Sequence, residues 1–477
     1  MLEGISKSKR FQLYAVSFLF GVVISSVSNY RLLVVFVCIN IFLLLLSFFV
    51  SRKPIQYVFF ALCFVCIGVI RTEIYELPIY TNNPVQKTFI GYIAAEPDIR
   101  QDQIKYIISS DQGRFLIKSF IYPEYQYGDV MEVTCSIFKK PEPIEDFRYD
   151  LYLYKMKVFS ICSRPRIKKI SSDKGFFLLK GIYQVKQKVA SMIQLLWYEP
   201  YASFMAGLLY GYRGGLGTLN DAFSQTGVTH IVAISGYNIS VLVSLIQPFF
   251  LAIGINKKKS FYFIISSIIL FVIFAGLSAS VVRAGIMGGI VLFAKHLGRR
   301  SKMSNTLLLS ALLMTIHNPY VLLFDAGFQL SFLATIGLIY LNPHIESLFL
   351  FMPKKFSLRE SMQTTVSATI MTLPLILFQF KKLSIVAVIV NMLILWIIPF
   401  IMFCGAITLI MYIIFKPLGL VISWVAWVLM LYIVTIVQLF AALPFAYVEW
   451  SISLWSCLFW YVIIFWFIVK KQRSLMR

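Results

Sequence analysis

The stretch THIVAISGYNISVL, residues 229–242, combines a membrane-like run of apolar residues with groups that hydrocarbon does not solvate. Polar groups inside a bilayer must be satisfied by protein or by water, because each one left unsatisfied in lipid costs several kcal/mol. The run therefore predicts a segment with one face turned away from lipid. The five residues that carry this prediction lie within residues 230–238 and are His230, Ser235, Gly236, Tyr237 and Asn238.

Apolar runs recur along most of the chain. Of the 477 residues, 59% are hydrophobic and only 14% are charged, whereas soluble domains carry about 25% charged residues. Runs near the ~20 residues that cross a bilayer predict a polytopic α-helical membrane protein with about nine to twelve crossings. Residues 384–415 are too long for one ordinary span and contain Pro399 and Gly405, which predicts a bent or re-entrant element.

Basic residues lie mainly in the short loops between the apolar runs. The formal net charge is +23, and the positive-inside rule accounts for most of this excess. Attraction for a polyanion is the alternative explanation for the rest of the excess positive charge. The rule predicts that both termini are cytoplasmic and that the segment after Arg71 is extracytoplasmic. Lys381 and Lys382 are exceptions, because the alternation of spans places them outside.

The segment after Arg71 differs in composition from the rest of the chain. Between residues 85 and 169, five short β-rich stretches are separated by Asp, Gly, Pro and Gln turns, which predicts a small β-barrel. Residues 176–197 have apolar residues at helical spacing with interleaved lysines, which predicts an amphipathic helix lying on the membrane. The predicted domains are N-terminal membrane helices (1–70), the extracytoplasmic β domain (71–175), interfacial helices (176–212) and a membrane core (213–477).

Two of the seven cysteines, Cys135 and Cys162, lie in consecutive predicted strands of the β domain. On an oxidising face of the membrane they would form a disulfide. The alternative is a pair of buried free thiols.

Several polar residues interrupt the apolar second half of the chain. An Arg within a span costs roughly 2.5 to 3.5 kcal/mol on insertion scales, so Arg283 should point inward. It makes an ion pair, with Asp325 as the best partner, or lines a hydrated path, or extends its charged end to the membrane surface. His230 taken alone is more often a satisfied structural histidine, and Ser235 followed by Gly236 first indicates close packing. The remaining polar positions are Arg213, Gln329, Thr364, Thr365 and Asn391.

Enzyme chemistry finds no support in the sequence. The four histidines are scattered and share no metal-binding spacing. The Gly-rich GYRGGLG at residues 211–217 lacks the Lys and Ser of a phosphate-binding loop. His230 and Ser235 are five residues apart, which would place them on different sides of a helix. The sequence therefore predicts a protein that is not an enzyme, with no cofactor and no metal.

Longer blocks carry a family resemblance. AFSQTGVTHIVAISGYNISVL, SASVVRAGIM, GRRSK, NPYVLLFDAGFQLSFLATIGLIYL and NMLILWIIPF resemble successive blocks of the ComEC family of competence proteins. YPEYQYGDVMEV and the stretch that follows it resemble that family's exterior OB-fold domain. The resemblance implies a channel that passes single-stranded DNA across the cytoplasmic membrane in natural transformation. The residues implied to line it are Arg213, His230, Ser235, Gly236, Asn238, Arg283, Asp325, Gln329 and Asn391.

Two departures from the family pattern affect this expectation. Many members have a histidine where Asn238 stands, which puts any role of an imidazole there in doubt. Many members also end in a metallo-β-lactamase-like domain, and this chain has no HxHxDH motif. The expected partners are therefore DNA, membrane lipids, and separate proteins acting as ATP-driven cytoplasmic translocase, DNA receptor and nuclease. The sequence leaves oligomeric state open, with a homo-oligomer among the options.

OB folds often receive single strands by stacking bases on aromatics above a basic groove. The candidate DNA contacts in the β domain are Tyr92, Lys105, Tyr106, Arg114, Phe115, Lys118 and Phe120. The charge of the segment is nearly balanced, which argues against strong DNA binding. Some of the aromatic candidates are also needed to fill the barrel core. Two other classes stay open for the whole chain: a secondary transporter or permease for a small molecule or lipid, and a structural membrane scaffold.

Overall fold

The computed structural model describes residues 6–27, 33–49, 53–75, 87–100, 103–139, 141–142, 149–172, 174–212, 214–232, 236–350 and 358–475. Two of the candidate lining residues, Arg213 and Ser235, lie outside these ranges. The chain forms two compact units. The first comprises Met1–Asn83, Lys140–Phe159 and Val282–Gln329, and the second comprises Pro84–Lys139, Ser160–Val281 and Leu330–Arg477.

Helices account for most of the described chain. In chain order they are α1 (Lys7–Val27), α2 (Leu33–Phe49), α3 (Lys53–Ile74), α4 (Tyr149–Lys155), α5 (Phe177–Leu196), α6 (Tyr201–Tyr210), α7 (Thr218–Gln225), α8 (Gly236–Ala252), α9 (Lys257–Phe274), α10 (Ala279–His296), α11 (Met303–His317), α12 (Val321–Phe324), α13 (Ala326–Tyr340), α14 (Asn342–Ile345), α15 (Leu358–Phe380), α16 (Ala387–Ile394), α17 (Ile398–Ile414), α18 (Lys416–Ala441) and α19 (Leu454–Leu475).

The strands are few and short. They are β1 (Lys87–Ile93), β2 (Asp98–Ile99), β3 (Ile104–Ser110), β4 (Gly113–Ser119), β5 (Val130–Lys139), β6 (Val158–Ser171), β7 (Lys382–Ser384) and β8 (Tyr447–Glu449).

Seven helical segments of the described chain are long and apolar enough to cross a bilayer, as the predicted fold class requires. One of them, Ala387–Ile414, consists of α16 and α17 joined by a 3-10 turn over Leu395–Ile397. Pro399 lies in the first turn of α17, where its missing N–H costs no helical hydrogen bond. Shorter apolar helices add Val35–Ser47, Tyr201–Tyr210, Met303–His317 and Ala326–Tyr340, so the expected nine to twelve crossings require some of these to span as well.

In the first unit, the N-terminal helices pack closely on one another. Gly21 of α1 lies against the backbone of Val65, and Gly68 of α3 lies against the backbone of Phe18. A side chain at either glycine would collide with main-chain atoms, so the two glycines allow α1 and α3 to approach each other.

The first unit also joins helix ends that are far apart in sequence. Gln12 Nε2 near the start of α1 donates to Asn305 Oδ1 near the start of α11 at 2.8 Å. At the other end of α11, Arg71 donates through Nε to the carbonyl of Ile316 at 2.7 Å and through Nη2 to that of His317 at 3.1 Å. The cation thereby satisfies carbonyls that the last turn of a helix leaves free.

The second unit contains the barrel. Strand β1 pairs with both β3 and β5, and the closed order is β1–β3–β4–β6–β5–β1, with β2 added to β3. Counted along the chain, five barrel strands in this order form the Greek-key arrangement of an OB fold. The predicted class, a polytopic α-helical membrane protein with a small OB-like barrel, is therefore confirmed.

Apolar side chains and a disulfide fill the barrel interior. The buried cluster includes Phe89, Ile108, Ile117, Met131 and Val133. The two cysteines singled out from the sequence, Cys135 and Cys162, are joined by a disulfide between β5 and β6 and are fully buried.

The helical part of the second unit has its own core. Helix α6 is buried along almost its whole length and packs with α16, α17 and α18. A two-stranded ribbon of β7 and β8 pairs Lys382 with Glu449 and Ser384 with Tyr447. The ribbon links the segment after α15 to the segment after α18.

Candidate functional site

The opening stretch lies at the start of α8 in the second unit. His230 is exposed in a 3-10 turn, Thr229–Ile231, and Gly236 is the first residue of α8. Asn238 is buried, and its Nδ2 donates to the carbonyl of Leu208 in α6 at 3.1 Å. The Asn238 side chain therefore ties α8 to α6.

Asn391 lies in α16 of the same unit. It is 4% exposed, and its Oδ1 makes no hydrogen bond to any described residue. A buried amide oxygen in this state costs about 1 to 3 kcal/mol. Buried polar groups in native proteins nearly always have a hydrogen-bond partner, so this acceptor is an exception within the described residues.

Asp325 of the first unit uses each carboxylate oxygen differently. Oδ1 accepts from the N–H of Phe328 at 3.1 Å and so caps the N-terminus of α13. Oδ2 accepts from Lys155 Nζ of α4 at 2.6 Å, and both side chains are nearly buried. The sequence offered an ion pair between Arg283 and Asp325 as one alternative. That alternative is wrong, because Asp325 pairs with Lys155 instead. Nothing near either residue in the sequence indicates Lys155, which is 170 positions away from Asp325.

Arg283 and Gln329, the other two candidates in the first unit, also point into the protein. Arg283 of α10 is 9% exposed, and its Nη1 lies 3.4 Å from the Met287 sulfur one turn along the helix. Gln329 Nε2 donates to the carbonyls of Leu322 and Leu323 at 3.1 and 2.8 Å. Gln329 thus satisfies carbonyls at the end of the short helix α12.

The candidate lining residues are therefore divided between the units. The second unit holds His230, Gly236, Asn238 and Asn391, and the first holds Arg283, Asp325 and Gln329. Asn238, Asp325 and Gln329 have contacts that stabilise the fold, whereas His230 is exposed and Asn391 has an unused acceptor.

Lys186 is a buried cation that the sequence did not single out. Its Nζ lies 2.7 Å from Glu96 Oε2 in the β1–β2 connection and 5.1 Å from the ring centre of Tyr210. Lys186 is 8% exposed, and burial raises the pKa of the neighbouring Tyr183 phenol to about 12, with Glu96 acting in the same direction. The sequence contained a signal for the burial of Lys186. It lies seven residues, about two helical turns, before the buried Ile193 and therefore on the same face of α5.

The Gly-rich loop after α6 approaches the barrel at the same place. Gly211 ends α6 with a φ of 76°, and Gly215 has a φ of 77°, values that glycine adopts without strain. A Cβ on Gly214 would lie 2.7 Å from the carbonyl oxygen of Ile99 in β2. Barrel, α5, α6 and the loop thus meet at one junction, which we define by Glu96, Ile99, Lys186, Tyr210 and Gly214.

The barrel candidates divide between two faces. Lys105 pairs with Lys118, and Ser109 pairs with both Tyr92 and Arg114, so the four candidates share the outer face of β1, β3 and β4. Tyr106 is fully buried and Phe115 is 4% exposed, both in the core cluster.

Tyr106 and Phe115 are therefore corrected to core residues that a base cannot reach. The sequence contained the signal, because neighbours on a strand point to opposite faces. Lys105 with Tyr106, and Arg114 with Phe115, cannot all face outward.

No group of three His, Cys, Asp or Glu residues within the described ranges is arranged to hold a metal ion.

These features define a polytopic helical membrane protein with an inserted OB-like barrel and polar groups buried in its helices. The chain belongs to the competence protein family, whose model matches residues 208–474. This match confirms the resemblance to the ComEC family and covers α7 to α18 in full.

One curated relative is ComE operon protein 3 of Bacillus subtilis (strain 168). It is 28% identical over 259 residues, which are 54% of this chain and 32% of that protein. The match therefore spans well under half of the relative's length. The comparison with solved structures found no significant match.

Proposed function

We propose that this chain is a channel that passes single-stranded DNA across the cytoplasmic membrane during natural transformation. The family match over residues 208–474 carries the proposal, because it coincides with the helices that hold the buried polar groups. The proposal includes no enzymatic step.

Physical chemistry supports a wet path with few fixed charges. A phosphodiester strand cannot enter hydrocarbon, since each buried charge carries a large desolvation cost. A hydrated groove with an inward cation such as Arg283 lowers that barrier. Binding along the groove must stay weak, because a tight site would hold the strand instead of releasing it.

The proposed partners follow from what a channel alone lacks. A separate cytoplasmic ATPase would pull the strand, and a receptor would deliver the DNA to the barrel side. A nuclease on another protein would degrade the second strand, and the surrounding lipids complete the assembly, as monomer or homo-oligomer. In this arrangement both termini are cytoplasmic and the barrel is extracytoplasmic.

Reconstitution tests the proposal. Purified protein in liposomes that contain a trapped single-strand-binding protein should admit a labelled oligonucleotide faster than protein-free liposomes do. Arg283→Ala should slow entry at least tenfold, while Lys295→Ala, an exposed cation on the same helix, should not. Equal entry for the two variants would exclude Arg283 from the path. No entry with the unmodified protein would contradict the channel itself.

The second candidate is a permease for a small molecule or lipid. The broken element of α16 and α17 favours it, because discontinuous helices often form transporter binding sites. A deletion strain separates the two functions: normal delivery of labelled DNA to the cytoplasm would favour the permease.

A further inference from the structure

Strand β6 displays cations that are not among the DNA contacts predicted from the sequence. Arg164, Arg166 and Lys168 are all exposed. Within the described ranges, the side chains of these three residues make no hydrogen bond or ion pair with another residue. The next cation, Lys169, differs from them because its Nζ lies 2.7 Å from Asp129 Oδ2.

The pairing of β5 with β6 fixes which way these side chains point. Val133 pairs with Ile167 on the inner face, so Arg166, opposite Thr134, and Lys168, opposite Glu132, lie on the outer face. Arg164 precedes them with a φ of 55°, at a break in the regular alternation, and its side chain is exposed as well.

The cations of β6 extend an existing basic surface. In the barrel β6 neighbours β4, which neighbours β3, and these two strands carry Lys105, Arg114 and Lys118 on their outer face. That outer face is partly covered, because Leu116 at its centre is only 5% exposed. The β6 cations are the more accessible part of the surface.

Two exposed aromatic side chains follow β4 directly. Phe120 is 75% exposed and Tyr122 is 79% exposed. Large rings left in water directly after a strand that carries Arg114 and Lys118 are typical of surfaces on which unpaired bases stack.

We propose that Arg164, Arg166 and Lys168 bind the phosphates of single-stranded nucleic acid, with Phe120 and Tyr122 receiving its bases. This site rests on the proposed function but differs from the usual OB face, which would be β3 and β4 here. Arg166 and Lys168 are about 6.6 Å apart along the strand, a distance comparable to that between successive phosphates of an extended strand. A lipid surface would require no such spacing, so a linear polyanion is the better ligand.

Glu132 opposes this surface from the neighbouring strand. Its carboxylate lies across from Lys168 on the same outer face and repels phosphate. Removing it should therefore strengthen binding, a change in the opposite direction from loss of the cations.

The test uses the full chain in nanodiscs of uncharged lipid and a fluorescent dT oligomer. The triple variant Arg164→Gln, Arg166→Gln, Lys168→Gln should bind roughly 100-fold more weakly at about 0.1 M salt, and its slope of log affinity against log salt should fall by about 2. Glu132→Gln should bind more tightly. The matched control, Arg299→Gln, Arg300→Gln, Lys302→Gln, removes three exposed cations elsewhere and should change neither quantity.

A second arm separates bases from phosphates. Phe120→Ala with Tyr122→Ala should weaken binding of the dT oligomer and leave binding of inorganic polyphosphate and the salt slope unchanged. A triple variant that still binds dT normally, or that instead loses only attachment to anionic lipid vesicles, would overturn the site. Transport by such a variant would leave the channel proposal intact, whereas an unmodified protein that neither binds nor transports DNA would contradict both.

Discussion

At the scale of single residues, Asp325 shows how a polar side chain in an apolar sequence is stabilised. One oxygen caps α13 and the other pairs with Lys155. The carbonyl of Lys155 in turn accepts from Asn318 Nδ2 at 2.8 Å. These contacts hold α4 against the segment between α11 and α13, so the charge of Asp325 serves the fold of the first unit.

Asp325→Asn tests this role. Asn caps a helix about as well as Asp, so the variant keeps the cap and removes only the charge. The ammonium of Lys155 then stays nearly buried without its counter-ion, and the free energy of unfolding should fall by about 3 kcal/mol. Thermal unfolding in detergent measures the loss.

The second substitution Lys155→Met provides the control for Asp325→Asn. It removes the stranded cation and should restore most of the lost stability. If Asp325→Asn alone unfolds at the temperature of the unmodified protein, the pair contributes little, and Asp325 would again be free for a role in the path.

At the scale of elements, the junction of α5 with the barrel depends on contacts between residues far apart in sequence. Lys186 is held between Glu96 and the rings of Tyr210 and Phe274. Gln126 Nε2, just before β5, donates to Gln187 Oε1 at 3.3 Å. One face of α5 therefore fits the barrel, while Phe177, Leu178 and Val185 remain exposed for the lipid contact that its amphipathic pattern predicts.

Lys186→Met should loosen this junction. The side chain keeps its length but loses the ion pair and the attraction to the Tyr210 ring. We expect amide hydrogen exchange in α5 to become roughly tenfold faster, which corresponds to about 1.4 kcal/mol of local opening free energy. Lys188→Met, at an exposed position of the same helix, is the matched control, and equal exchange in the two variants would refute the role of Lys186.

The same elements show which features a sequence can predict. The lengths of apolar runs predicted the helices, and short β-rich stretches between turn residues predicted the barrel, because both signals depend on residues close together in the chain. The partners of Asp325 and Lys186 depend on helices and strands that meet only in the folded chain. Assignment of Tyr106 and Phe115 to the DNA surface failed for another reason: residue type was used without the alternation that sends Lys105 outward and Tyr106 inward.

At the scale of the whole molecule, contacts between helix ends bear on the predicted sidedness. In the first unit, the hydrogen bond between Gln12 and Asn305 places the starts of α1 and α11 side by side. The hydrogen bond from Arg71 to the end of α11 places the ends of α3 and α11 side by side. The basic residues around both starts predict a cytoplasmic position for them. In the second unit, the β7–β8 ribbon places Lys382 beside the segment that precedes α19. Lys470 and Lys471 lie near the other end of α19.

The ribbon offers an explanation for Lys381 and Lys382, the two lysines that break the charge rule. If the basic end of α19 is cytoplasmic, the start of α19 and the ribbon beside it are extracytoplasmic. The backbone N–H of Trp450 donates to the carbonyl of Lys381 at 3.0 Å, and Lys382 pairs with Glu449 across the ribbon. An acidic neighbour and a fixed backbone offset the topological preference of two lysines, whose effect on orientation is a bias rather than a prohibition.

Cysteine labelling in intact cells tests this arrangement. The parent variant replaces the five free cysteines, Cys38, Cys63, Cys66, Cys404 and Cys457, with alanine and keeps the barrel disulfide. Asp111→Cys in the β3–β4 turn and Lys382→Cys in the ribbon should react with a membrane-impermeant maleimide. Arg300→Cys, also an exposed basic position, should react only after permeabilisation.

Protection of Lys382→Cys together with labelling of Asp111→Cys would place the ribbon in the cytoplasm. The number of crossings between barrel and ribbon would then be odd, so at least one apolar helix between them would have to change its assignment between crossing and staying on one side.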